Sequence, residues 1–200
     1  MGAPEFDLRS WRKAERARLI EERMALPLDE HKAASQAISE CLKSTFPPES
    51  FSSLGCYWPF RREFDCIPLM KTVIAAGGQT SLPVVLQKNH PLEFRPWTPE
   101  TRMEAGVWNI LHPAEGPVVQ PAALLIPLVG FDAEGYRLGY GAGFYDRTIA
   151  IFDKPPLKIG VGFELSRMVT IFPQDHDIPM DLVITEQGVV FEGPGVRVSP

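Results

Sequence analysis

The stretch "AALLIPLVGF", residues 122–131, is apolar at nearly every position and runs directly into "DAEGYRLGYGAGFYDR", residues 132–147. A strand with one wet face alternates apolar and polar residues, whereas a run without alternation reads as a strand buried on both faces, as in a parallel sheet covered by helices. Three glycines at alternate positions, Gly139, Gly141 and Gly143, then separate this strand from the helical run "DRTIAIF", residues 146–152. Buried strand, glycine turn and helix in that order are the parts of an α/β fold.

The same alternation continues outward. "SSLGCYWPF" (52–60) reads as a strand, "CIPLMKTVIAAGG" (66–78) as a helix ending on glycines, and "SLPVVL" (81–86) as the strand that completes a βαβ unit. "PLEFRPW" (91–97) and "LKIGVGF" (157–163) add strands, and "MDLVITEQGVVF" (180–191) adds one or two short ones around Gly188. Ahead of them, residues 7–25 carry helix formers without Gly or Pro, Pro27 marks a junction, and a second helix runs from Leu28 to Ser44. The expected architecture is a single-domain, three-layer α/β/α sandwich with a mostly parallel central sheet. It spans residues 1–200, with a helical segment over 7–44 and an α/β body over 50–193. The 20 prolines are spread along the chain, which argues for many defined turns instead of a linker.

Charge and cysteine content narrow the partners. Lys and Arg number 20 against 25 Asp and Glu, a formal net charge of -5, so a broad nucleic-acid-binding surface is not expected, although a local basic pocket is compatible. Cys41, Cys56 and Cys66 are odd in number and lack CxxC spacing, which suggests neither a disulfide framework nor a zinc site and fits a reducing cytoplasm. "MGAPEFDLRSWRK" (1–13) lacks the apolar run of a signal peptide, and Phe6 stands where a myristoylation signal would need Ser or Thr. No apolar stretch approaches membrane-spanning length, and no protein partner is inferred.

A glycine turn between a buried strand and a helix lets backbone approach a ligand, and the helix start offers amides to an anion. Phosphate is the natural guest, with Arg137 and Arg147 adding charge from the two ends of the loop. Asp146 would repel a phosphate unless a cation lay between them, which makes it a candidate magnesium ligand and points to a nucleotide with its metal. On the residues alone a second reading stands: the glycines serve packing, and Asp146 caps the helix or pairs with Arg147.

"LIPLVGFDAEGYRLGYGAGFYDRTIA" (125–150) resembles the signature of the 5-formyltetrahydrofolate cyclo-ligase, or methenyltetrahydrofolate synthetase, family. Ordered companions extend the resemblance over nearly the whole chain: a basic helix followed by "RMAL" (23–26), "YWPFRREFD" (57–65), "LPVV" (82–85), "PLEFRPW", "VWNI" (107–110), "KIGVGFE" (158–164) and "HDIPMDLVIT" (176–185). The resemblance implies an ATP- and magnesium-dependent conversion of 5-formyltetrahydrofolate to 5,10-methenyltetrahydrofolate, ADP and phosphate, through phosphorylation of the formyl oxygen. It further implies that Arg12, Arg16, Arg137, Gly139, Gly141, Ala142, Gly143 and Tyr145 hold ATP, and that Asp146 and Asp181 organise magnesium. Glu63, Trp108 and Tyr145 would hold the folate, Glu63 by accepting from the pterin's aminopyrimidine edge and the two rings by stacking.

The chain departs from the family where Ala142 replaces a frequent Lys and where Arg12 stands for the usual Lys. By spacing alone, Arg12 with Glu15 and Arg18 with Glu21 or Glu22 describe an ordinary solvated helix, Glu63 a solvated loop acid, and His176 a structural residue. Those departures motivate an alternative: a folate- or nucleotide-binding protein that keeps the scaffold without turnover. A third reading is another enzyme, such as a sugar-phosphate isomerase, on the same scaffold.

Overall fold

The computed structural model describes residues 6–194 and 196. The expected lack of a leader over residues 1–5 and the outermost ends of the predicted 1–200 unit lie outside the described residues.

Two long helices come first, α1 (Leu8–Ala25) and α2 (Leu28–Thr45). Asp7 caps α1 by accepting from the Arg9 and Ser10 amides, and Arg62 closes its other end by donating to the Met24 and Leu26 carbonyls at 2.9 and 2.7 Å. Strand β1 (Ser53–Gly55), helix α3 (Ile67–Ala75) and strand β2 (Gln79–Val84) form the expected βαβ unit, with β1 and β2 parallel. Next come β3 (Glu93–Pro96), a hairpin of β4 (Met103–Ala105) and β5 (Leu111–Pro113), β6 (Ala123–Pro127), and a small hairpin of β7 (Gly130–Phe131) and β8 (Arg137–Leu138). Helix α4 (Phe144–Ala150), β9 (Leu157–Val161), β10 (Leu182–Thr185) and β11 (Gly188–Glu192) complete the chain.

The main sheet has the order β11-β10-β9-β6-β1-β2-β3, parallel throughout except for the two edge strands, which pair antiparallel. Strand β6 is central and alternates between two cores, as its apolar run predicts. Leu125 packs with Ile38 and Leu42 of α2 and Met70 and Val73 of α3 on one face, while Leu124 and Ile126 pack with Phe94, Val183 and Ile149 of α4 on the other. The sandwich is therefore unequal, with an 18-residue and a nine-residue helix on one side and a seven-residue helix plus ordered loops on the other. Helix α1 lies off the sheet, its Leu19 buried against Val129, Leu138 and Ile171. Among the described residues, no helix is long and apolar enough to cross a membrane.

Three details differ from the sequence reading. The β1 run is sheet only to Gly55, because beyond Cys56 the chain turns away to reach Arg61 and Arg62, both in left-handed backbone (φ 48° and 57°). The "AALLIPLVGF" run divides between β6 and β7. Neither small hairpin was foreseen, because strands of two or three residues are too short to show a period.

The β7–β8 hairpin is held by Asp132, which is buried. One oxygen accepts from the Glu134 and Tyr136 amides at 3.1 and 3.0 Å, and the other accepts from the Ile171 amide at 3.1 Å. Replacing it with Ala strands these donors. Asp132→Ala is expected to lower stability by about 3 kcal/mol in urea denaturation; a loss within ~0.5 kcal/mol, the range of ordinary surface substitutions, would show that the hairpin is held by its apolar contacts alone.

Candidate active site

The β1–α3–β2 crossover leaves β1 toward one edge of the sheet, and the β6–α4–β9 crossover leaves β6 toward the other, with α3 and α4 on opposite faces. Right-handed crossovers diverging from adjacent strands open a crevice at their carboxyl ends, the point where α/β sheets bind ligands. A cleft of about 810 Å³ lies there, floored by Tyr57, Trp58, Pro83 and Pro127 just beyond or at the ends of β1, β2 and β6. That volume lies within the range of small-molecule sites.

One wall is cationic. Arg12 and Arg16, four residues apart on α1, both line the cleft with Arg137. Arg12 donates to the Ile171 and Phe172 carbonyls and to Asp177 at 2.6 Å, and Arg16 donates to the Gly139 carbonyl at 2.7 Å. Burial, together with the adjacent Arg12 cation, depresses the Arg16 pKa, so a bound anion would relieve a real electrostatic cost. Asp177 shows the opposite balance: burial raises its pKa, but hydrogen bonds from Arg12 and the Gln174 amide outweigh that and hold it below the ordinary carboxylate value. Arg137, buried in β8, donates to the Ile178 carbonyl and pairs with Asp146 Oδ1, each at 2.8 Å.

The glycine loop closes this wall, and its glycines answer to different constraints. Gly141 has φ +93°, and a Cβ there would sit 3.1 Å from the Arg16 guanidinium carbon; Gly143 has φ +62° with the Arg147 guanidinium equally close. Both positions favour glycine by backbone conformation, and a Cβ at either would also ask the arginine's flexible end to shift by a few tenths of an ångström. At Gly139 a Cβ would meet nothing within 4 Å, so glycine there leaves open space on the cleft wall. Arg147 folds back to donate to the Ala142 carbonyl.

The other wall is a buried acid among aromatic rings. Glu63 is 6% exposed, accepting from the Phe60 amide at 2.9 Å and from the Tyr140 hydroxyl at 2.8 Å. Burial raises its pKa, opposed chiefly by the Arg23 charge and the Tyr140 hydroxyl. The Tyr140 ring lies 6.2 Å from those of both Phe60 and Trp108. Trp108 is 54% exposed at the β4–β5 turn and adopts left-handed backbone beside a left-handed Asn109 (φ 58° and 59°). A bulky residue in that conformation carries strain of order ~1 kcal/mol, and here it presents an indole to the cleft. Tyr145 completes the wall; burial pushes its hydroxyl well above the ordinary value, so it stays a neutral donor.

Of the residues singled out in the sequence, Arg12, Arg16, Arg137, Gly139, Gly141, Ala142, Gly143, Tyr145, Glu63, Trp108 and Asp146 all line the one cleft. Asp181 does not, which corrects the expectation that it joins Asp146 around a metal. It precedes β10, at the amino ends of the parallel strands, where the Lys158 ammonium bonds both its oxygens at 2.7 and 2.8 Å and the Lys158 amide donates to it. Asp146 neither caps α4 nor pairs with Arg147: its Oδ1 takes Arg137 and the Ile178 amide. Among the described residues no three His, Cys, Asp or Glu side chains cluster as a metal cage. The ordinary-helix reading holds for Arg18, which pairs with Glu15 and Glu22, while Arg12 turns inward to Asp177.

Sequence reasoning passed over Arg23 and Tyr140. Arg23 had a legible signal, since residues 12, 16, 19 and 23 share one helical face and Leu19 on that face is buried. Tyr140, inside the glycine loop, had none.

An α/β sheet whose switch-point cleft joins an arginine-lined glycine loop to a buried carboxylate among aromatic rings is a frame with room and chemistry for an anionic and an aromatic group side by side. The chain belongs to the 5-formyltetrahydrofolate cyclo-ligase family, whose model matches residues 8–186. It is a ligase of the ATP-dependent class. A 5-formyltetrahydrofolate cyclo-ligase of Escherichia coli strain K12 is 28% identical over 179 residues, 84% of this chain and 95% of that protein. The solved 5,10-methenyltetrahydrofolate synthetase of Aquifex aeolicus superimposes with a TM-score of 0.79 at 27% identity, covering 94% of this chain and 96% of its own. That of Mycoplasma pneumoniae shares the fold at a TM-score of 0.73 and 23% identity, over 88% and 98% of the two chains.

The Arg12–Asp177 pair makes a pH prediction. Because the folded-state pKa of Asp177 is lowered, the pair's stabilisation is present above the ordinary carboxylate pKa and disappears as pH falls through the folded value. The Tm advantage of wild type over Asp177→Asn should therefore be constant near neutrality and close in acid. A pH-independent difference would remove the ion pair as its source.

Proposed function

We propose that the protein converts 5-formyltetrahydrofolate to 5,10-methenyltetrahydrofolate, consuming ATP with magnesium and releasing ADP and phosphate. One observation carries the reading: a single cleft sets a cationic glycine loop beside a buried carboxylate framed by aromatic rings. A triphosphate and a formylated pterin need those two walls in contact, because the reaction joins the γ-phosphorus of one to the formyl oxygen of the other.

The formyl oxygen of an amide is a poor leaving group. In the proposed reaction it attacks the γ-phosphorus as the bond to ADP breaks; the folate's aniline nitrogen then closes onto the formyl carbon and gives up its proton, and the oxygen departs as phosphate. No enzyme nucleophile is required, so the protein's part is alignment and charge stabilisation. Arg12, Arg16 and Arg137, with the backbone of Gly139, Gly141, Ala142 and Gly143, would hold the phosphates, and Tyr145 would border both substrates. Glu63 and Trp108 would hold the pterin. Magnesium on a nucleotide needs only one or two protein carboxylates, and Asp146 fits: its two protein contacts both fall on Oδ1, which leaves Oδ2 for a cation. When bound, the cation would offset phosphate charge. We read residues 7–44 as part of the same functional unit as the body, since α1 supplies a cleft wall, and place the protein in the cytoplasm, where its free cysteines suit a reducing milieu.

Absorbance of the methenyl product tests this directly. Product should form from 5-formyltetrahydrofolate only with ATP and magnesium, and Asp146→Asn should lower kcat by roughly 100-fold while folate affinity stays near wild type. Binding of both ligands without product would favour the non-catalytic alternative. Turnover unchanged in Asp146→Asn would remove that residue from the metal.

A further inference from the structure

Arg23 is 2% exposed and does not line the cleft, so it touches no ligand, yet a charged side chain this deep needs a compensating role. Its guanidinium donates to the Arg61 carbonyl at 3.0 Å, the Leu128 carbonyl at 3.2 Å and the Tyr140 hydroxyl at 2.9 Å. Glu63 is the only acid it faces among its contacts, and the approach is indirect: Nη2 lies 3.9 Å from Oε1, with the Tyr140 hydroxyl donating to that oxygen at 2.8 Å.

The interposed phenol matters. An arginine paired directly and bidentately with a carboxylate occupies both oxygens. An ionised carboxylate has about four lone-pair sites; Tyr140 takes one on Oε1 and the Phe60 amide one on Oε2, leaving one on each oxygen. Two acceptors on one rigid, planar group match two adjacent N–H donors such as those of an aminopyrimidine edge.

We propose that Arg23 and Tyr140 are positioning residues for the folate. Arg23 holds the Tyr140 hydroxyl, Tyr140 holds Oε1 of Glu63, and together they present an ionised two-oxygen acceptor to the ligand. The inference rests on the proposed function and deepens it. Burial works against ionisation of Glu63, and the groups facing it are Arg23 from α1, Arg61 on its own loop, Tyr140 from the glycine loop, Tyr145 of α4 and Tyr57 beyond β1. Arg23 is the strongest opposing charge, and Tyr140, itself pushed up by burial and by Glu63, remains a donor.

The test combines kinetics with a ligand-free carbon-13 NMR titration of the Glu63 carboxyl, assigned with Glu63→Gln. Tyr140→Phe and Arg23→Met should each raise KM for 5-formyltetrahydrofolate about tenfold, leave KM for ATP unchanged, and move both the acid limb of kcat/KM and the carboxyl titration to higher pH. Arg23→Lys, which keeps the charge without the planar fork, should restore part of the pH shift. Should Arg23→Met fail to fold, Tyr140→Phe carries the test. A lowered Tm with unmoved KM and titration would overturn the proposal, leaving the pair purely structural. If wild type made no methenyl product, the proposed function would fall, whereas the titration, which needs no ligand, would still decide whether Tyr140 sets the charge of Glu63.

Discussion

Strand β6 pairs with β1 on one side and β9 on the other, all parallel, and the crossovers from β1 and β6 leave in opposite directions. Parallel neighbours need long connections, right-handed ones, and two of these diverging from adjacent strands cannot both cover the carboxyl ends they leave. The cleft follows from that constraint. So does the burial of β6 on both faces, because α3 and α4 must then lie on opposite sides of the sheet. The hairpin that follows β6 carries Arg137 and leads into the glycine loop, so a strand buried on both faces delivers the backbone of the site, left-handed glycines included.

Around that cleft each inward-facing cation already has a protein partner: Arg12 with Asp177, Arg16 with the Gly139 carbonyl, Arg137 with Asp146, Arg23 with Tyr140 and, at longer range, Glu63. Unpaired charges at this depth would be costly, and these pairings hold the arginines in place before any ligand arrives. Anion binding is then an exchange of partners on a preformed frame. Asp132 links that frame to the fold, since the segment it anchors at Ile171 is the one whose carbonyls hold Arg12.

The sheet and helices were largely legible, because they rest on periodic burial that a chain cannot conceal: the unbroken apolar run of β6, the glycines after α3, and Pro27 between two helix-forming stretches. The two small hairpins were not, since their strands of two or three residues pair only with each other. Much of the cleft was legible as well, through the glycine loop and the ordered motifs around it. Asp181 shows where such reading fails: its neighbours in sequence resemble a ligand-bearing stretch, but its position before β10 puts it at the opposite end of the strands, beside Lys158.

What the sequence by itself determined was the fold class, the family, and which residues are chemically able to hold a phosphate or a flat ring, because these depend on residue types and local spacing. Only the tertiary structure decided which of them meet, and in what state. Glu63 becomes a buried, partly shielded carboxylate only because α1 brings Arg23 behind it and the loop brings Tyr140 across it, 40 and 77 residues away in sequence. A pKa and a hydrogen-bond direction are set by groups distant along the chain and near in space, and no local pattern records that distance.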